Sequence, residues 1–94
     1  MVVGVCTISL RLPGNGSLKG KRRVVKSIIA RLRREFNISI AEVDEQDSWQ
    51  RATLGVVCVS TSAGYAHGLL TKVVNWIEAN RPDVPLVDFG IELL

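Results

Sequence analysis

Few side chains in this sequence are of a type and spacing able to do chemistry. Cys6 and Cys58 fall in alternating segments that should become neighbouring strands, where a disulfide or a redox pair could form. Strand cysteines are more often small buried hydrophobes, and without a signal peptide a reducing compartment is the default. With one histidine in the chain, two cysteines do not complete a four-ligand zinc site unless a carboxylate joins them. His67 stands alone near the start of an expected helix. A general base needs a partner and a pocket, and no Ser–His–Asp or Cys–His arrangement can be read, so His67 reads as a surface or capping residue. Glu42, Asp44, Glu45 and Asp47 could draw a cation, but they lack the spacing and central glycine of a calcium loop. They read as a solvated hairpin turn. No catalytic residue, metal ligand or cofactor site is expected.

The basic residues are a different matter. The formal net charge is +3. Residues 1–34 hold nine basic side chains and no acid: Arg11, Lys19, Lys21, Arg22, Arg23, Lys26, Arg31, Arg33 and Arg34. Residues 35–94 hold three basic and nine acidic ones. At about 100° per residue, with Val25 at zero, Arg22, Lys26, Arg33, Lys19 and Arg23 span about 60° to 160°. The apolar residues of the same segment span about −60° to 40°. The cations therefore form a stripe beside the apolar face. No carboxylate at i±4 within the segment neutralises it, apart from Glu35 at its end. Such a stripe suits a polyanion: RNA, DNA or a phosphorylated ligand. A solvated helix face, with Lys and Arg stems covering apolar edges, gives the same pattern. Arg33 and Arg34 suit the negative end of a helix dipole, whereas Lys19 to Arg23 oppose the positive end.

Glycines lead into this stripe at Gly14 and Gly16, with Gly20 inside its first turn. Their spacing misses that of a nucleotide-binding P-loop, and Arg22 stands where Ser or Thr would bind magnesium. A looser loop contacting phosphate at a helix N-terminus stays open.

The elements that must hold these side chains follow from periodicity. Val2 to Leu12 alternates, with Cys6, Ile8, Leu10 and Leu12 in one phase, as a half-buried strand does. Pro13 to Gly16 breaks it, and Ser17 is a candidate N-cap. Leu18 to Glu35 is an amphipathic helix with Val25, Ile28, Ile29, Leu32 and Phe36 on its apolar face. A second strand covers Phe36 to Val43. There Glu42 keeps the inward phase of Phe36, Ile38 and Ile40 while Val43 breaks it, which predicts a bulge or the strand's exposed end near Ala41 to Val43. A third strand covers Trp49 to Ser60, and a second helix covers Gly64 to Asn80, stopped by Arg81-Pro82. The last strand covers Pro85 to Leu93, with Val87, Phe89, Ile91 and Leu93 in phase.

The order βαββαβ, with right-handed crossovers, predicts an α+β ferredoxin-like plait. Its four-stranded antiparallel sheet has order 4-1-3-2 and both helices on one face. The open face should carry Val3, Val5, Thr7, Thr53, Gly55, Val57 and Val59. These are not the stacking aromatics of an RNA-recognition motif. A weakly apolar sheet centre suits a contact with a second copy. Trp49 and Trp76 read as core or interface anchors.

At 94 residues the chain is expected to form one domain, residues 1–94. An apolar content of 47% and a charged content of 22% exclude a disordered chain, a collagen-like fibre and a disulfide scaffold. No apolar run reaches the roughly 18 residues of a membrane span. The first residues lack the basic region and cleavage site of a signal peptide.

Three stretches carry a family resemblance: Ser17-Leu18-Lys19-Gly20-Lys21-Arg22, Phe36 to Val43, and Asp47-Ser48-Trp49-Gln50-Arg51-Ala52 with Gly55 following. Together they resemble the YlxP-like family of small bacterial domains of unknown function. The resemblance implies a ferredoxin-like fold, a cytoplasmic bacterial protein, and a gene found among those of translation and ribosome maturation. It implies no catalytic residues. The family's usual Ser-Leu-Lys-Glu-Lys-Arg has an acid where this chain has Gly20. That acid would complete a capping box with the serine.

The expectation is a non-enzymatic module that contacts RNA or a ribosomal particle. Lys19, Lys21, Arg22, Arg23, Lys26 and Arg33 would touch phosphates, with Arg11 joining them. The alternatives are a self-associating domain, through the open sheet face or with the stripe on a neighbour's acidic turn, and a binder of small phosphorylated ligands at a subunit boundary.

Overall fold

A computed structural model describes residues Met1–Leu94. The elements are β1 (Val2–Arg11), α1 (Leu18–Glu35), β2 (Ser39–Asp44), β3 (Arg51–Ser60), α2 (Ala63–Asn80) and β4 (Leu86–Leu93). The four strands form one sheet in the order β2-β3-β1-β4, and every neighbouring pair is antiparallel. This is the ferredoxin-like arrangement expected from the order of elements.

The core lies between one sheet face and the helices. Cys6, Ile8, Leu10 and Leu12 enter it from β1 and its end, and Ala52, Leu54, Val56 and Cys58 enter from β3. Val25, Ile28 and Leu32 come down from α1, and Ala66, Leu70, Val73, Val74 and Ile77 from α2. Gly4 faces side chains of α2 and β3. A Cβ there would sit 2.9 Å from Leu70 Cδ1 and 3.0 Å from Cys58 Sγ, so a larger residue would force these side chains to shift.

Helix boundaries follow their caps. Ser17 is extended, and its Oγ accepts a hydrogen bond from the Gly20 backbone N–H at 3.0 Å. Ser62 does the same for Tyr65 at 3.2 Å. Each satisfies one of the N–H groups that a helix start leaves unpaired. At the far end of α1 the Phe36 N–H still bonds to the Leu32 carbonyl, although Phe36 itself is extended. That shortens the expected second strand, because residues 36–38 belong to the helix exit and pairing begins at Ser39 opposite Val57. β3 likewise begins at Arg51 rather than Trp49. Ser48 Oγ accepts from the N–H groups of Gln50 and Arg51 and holds this stretch in a turn.

Both edge strands carry a bulge. On β2 the register shifts between Glu42 and Asp44, so Val43 is the extra residue, within the predicted segment. Val43 lies over Gly55, where a Cβ would meet it at 2.9 Å. On β4 the register shifts opposite Ser9 and Leu10, with Asp88 facing Ser9 and Leu86 facing Leu10. Val87 is therefore out of the phase that the alternation assigned to it, and Leu86 takes the inward place. An added residue in one strand reverses the side for everything beyond it.

Loops at one end of the sheet are tied together. The Leu12 N–H donates to the Gln50 carbonyl at 2.9 Å, and Gln50 Nε2 donates to the Asn15 carbonyl at 3.3 Å. The end of β1, the start of α1 and the turn before β3 thus form one surface.

Candidate functional site

α1 carries its cations on the side away from the core. Lys19, Arg22, Arg23 and Lys26 are all exposed. None of them takes part in an ion pair; the pairs in the molecule are Lys21–Glu42, Arg31–Glu35 and Arg81–Asp83. The first turn of α1 has no acid, and its last turn adds Arg33 and Arg34. The charges near the helix start repel both one another and the positive end of the dipole. Arg33 differs from the rest because its guanidinium donates to the Ile40 carbonyl at 3.1 Å, which ties α1 to β2. Arg31 lies on the other flank, 5.6 Å from the Trp76 ring centroid and 3.8 Å from Glu35. Arg11 sits apart from the helix, directly across from Arg51 at the end of the sheet.

Lys21 corrects the sequence-based set. It is 1% exposed, the one buried charged residue in the molecule. Its Nζ lies 2.9 Å from Glu42 Oε2 and donates to the Glu45 carbonyl. The Glu42 contact is a close ion pair off the hydrogen-bonding direction, and Oε2 has no other donor. A buried cation needs such partners because leaving water is costly. Lys21 is therefore a structural tie between the start of α1, the inward side of β2 and the β2–β3 turn, and it reaches no external phosphate. The signals for this were present in the sequence. Lys21 falls at about −40° on the helix, inside the apolar arc, and Glu42 falls in the inward strand phase.

The acidic turn does not converge as a set. Glu42 points inward to Lys21, while Asp44 Oδ1 accepts the Glu45 N–H at 2.8 Å. His67 is exposed on α2. Cys6 and Cys58 are free thiols, both buried. Burial pushes the Cys6 thiol up to about 11, so it stays protonated and poorly nucleophilic at neutral pH. Trp76 is half-buried against the core, whereas Trp49 is 53% exposed. Of the two readings of Trp49, core or interface anchor, its exposure removes the core one, because the Ser48 turn leaves it outside β3.

The sequence profile of the family described as "Protein of unknown function (DUF503)" matches residues 3–91. The chain belongs to the DUF503 family. It is 42% identical over 64 residues to "Uncharacterized protein YlxP" of Bacillus subtilis (strain 168), a match covering 68% of this chain and 70% of that protein. The crystal structure of protein SO0527 from Shewanella oneidensis aligns over 97% of this chain and 88% of that one, at 17% identity and a TM-score of 0.44.

Within this DUF503 chain the glycine at position 20 has a local explanation. A Cβ there would stand 2.5 Å from Asn15 Oδ1 and 3.1 Å from Ser17 Oγ. Asn15 occupies that space, and its Nδ2 donates to the Ser17 carbonyl at 2.8 Å and the Trp49 carbonyl at 2.6 Å. Asn15 thus fastens the loop before α1 to the turn before β3. No helix of this protein is long and apolar enough to cross a membrane.

Proposed function

We propose that this DUF503 protein is a non-enzymatic module that contacts RNA or a ribosomal particle through the exposed face of α1. The observation that supports it is the set Lys19, Arg22, Arg23 and Lys26: exposed, on one helix, and without an ion-pair partner. Cations left unpaired beside one another repel, and a phosphate backbone relieves that repulsion. Arg33 and Arg34 extend the stripe, with Arg33 giving part of its donor capacity to Ile40. Lys21 is outside the contact set. The genomic company implied by the YlxP-like resemblance agrees with an RNA partner.

Binding to ribosomal RNA should weaken steeply with salt. Contacts by these residues predict a slope of about −3 in log affinity against log salt, at roughly −0.7 to −0.9 per phosphate. Arg22→Glu/Lys26→Glu should flatten that slope and weaken binding more than tenfold. Filter binding between about 50 and 200 mM salt measures both. Unchanged binding by the double variant would overturn the proposal.

A second reading rests on a different observation. The open sheet face bears Val3, Val5, Val43, Val57 and Val59, with Val43 53% and Val59 63% exposed. We propose a second copy of this chain as its occupant. This face and the α1 stripe are separate surfaces, so the two readings are compatible.

A further inference from the structure

One cleft is not used by the helix face. It has a volume of about 320 Å³ and is lined by Ser9, Leu10 and Arg11 of β1 together with Glu45, Arg51, Val87 and Asp88. That is at the small end of ligand sites, which run from about 300 to 1,000 Å³. Arg11 and Arg51 are directly opposite each other on β1 and β3. Like charges so placed destabilise a sheet, and neither arginine has a carboxylate within ion-pair distance. The two acids of the cleft have local partners instead. Glu45 Oε2 accepts from Thr53 Oγ1 at 3.4 Å, and Asp88 Oδ1 accepts the Phe89 N–H at 2.9 Å. Glu45 is held there by its backbone: it has a φ of 61°, and its carbonyl receives buried Lys21. Two residues before Arg51 stands Trp49, exposed, with its carbonyl pinned by Asn15.

Two guanidiniums and two carboxylates make a cleft of no net charge. It does not attract polyanions in general. It suits a group that offers an anion and hydrogen-bond donors together; the exposed Trp49, two residues from Arg51 in the chain, stands outside the lining. Resting on the RNA reading above, we propose that this cleft takes one nucleotide of an unpaired RNA strand. Arg11 and Arg51 hold the phosphate, the Trp49 indole stacks on the base, and Glu45 and Asp88 accept from ribose hydroxyl or base amino groups. The helix face supplies attraction to any polyanion, and the cleft supplies preference for unpaired nucleotides.

The test uses the full chain with Trp76→Phe, which leaves Trp49 as the fluorescent reporter. The probes are single-stranded oligoadenylate, an RNA duplex, and heparin as a polyanion without bases. Oligoadenylate should quench Trp49, whereas heparin should bind without quenching and the duplex should quench little. In the parent chain, Trp49→Ala should weaken oligoadenylate by about 5- to 150-fold, as the loss of one stacked base does, and Trp49→Phe should keep most of the affinity. Arg11→Gln/Arg51→Gln should weaken oligoadenylate at least tenfold and leave heparin unchanged. Oligoadenylate bound without quenching, or bound equally well by Trp49→Ala and the double glutamine variant, overturns the cleft while the helix-face reading stands. Loss of oligoadenylate with these variants but not with Arg22→Glu/Lys26→Glu keeps the cleft and overturns the helix face. No binding of oligoadenylate by the parent chain overturns the cleft outright.

Discussion

At the residue scale, the buried pair Lys21–Glu42 separates two roles that a count of cations merges. Lys21 stands in sequence among Lys19, Arg22 and Arg23, yet it is 1% exposed while they face water. Its partner Glu42 keeps 18% of its side chain accessible. Breaking a buried pair from one side strands the other charge at a cost of roughly 3–5 kcal/mol. Glu42 can recover some solvation, which favours the low end of that range. Lys21→Met should therefore destabilise the protein by about 3 kcal/mol in urea unfolding. Lys21→Met/Glu42→Leu should recover most of the loss, because no charge is then stranded. A double variant as unstable as the single one would mean that the Glu45 carbonyl contact, and not the ion pair, holds the turn. Each half of this pair was legible as an anomaly, a lysine in an apolar arc and a glutamate in an inward phase. Their meeting was not, because it depends on how far β2 lies from the start of α1, a distance that no local pattern encodes.

At the element scale, the helices and the phases of the strands could be read from periodicity, and the misplacements sit where side chains compete with the ladder. Ser48 turned the first residues of the third strand into a loop. The Phe36 N–H stayed with α1. The Val87 bulge reversed the start of β4, since alternation alone carries no record of an inserted residue. Gly20 is the sharpest case. Glycine inside a helix costs about 1 kcal/mol relative to alanine, less in the first turn. Here it makes room for Asn15, whose amide bridges two carbonyls. Gly20→Ala in the parent chain should thus give no gain, because the methyl displaces Asn15. In an Asn15→Ala background the same substitution should stabilise by about 0.5–1 kcal/mol, the intrinsic helix preference. Thermal unfolding of the four proteins of this cycle measures the coupling. Additive effects would show that Asn15 and Gly20 act independently.

At the scale of the whole molecule, the sheet order followed from the order of elements together with handedness, since right-handed crossovers leave few other arrangements of βαββαβ. The same topology decides what covers what. Both helices lie over one sheet face, so neither covers the valines of the other face. Two surfaces of opposite character result: a cationic helix face whose contacts fade with salt, and an apolar sheet face whose contacts do not. This difference turns the second-copy reading into a measurement. Self-association through Val57 and Val59 should be retained or strengthened as salt rises, because apolar burial is not screened. Val57→Lys/Val59→Lys should give a monomer by sedimentation equilibrium, since each added charge would have to be buried without a partner. Both positions are on the solvent side of β3, away from the core, so folding should survive the change. Association that dissolves with salt would instead place the acidic turn of one copy against the α1 stripe of another. A parent chain that stays monomeric at every salt concentration would leave the valine face without a second copy.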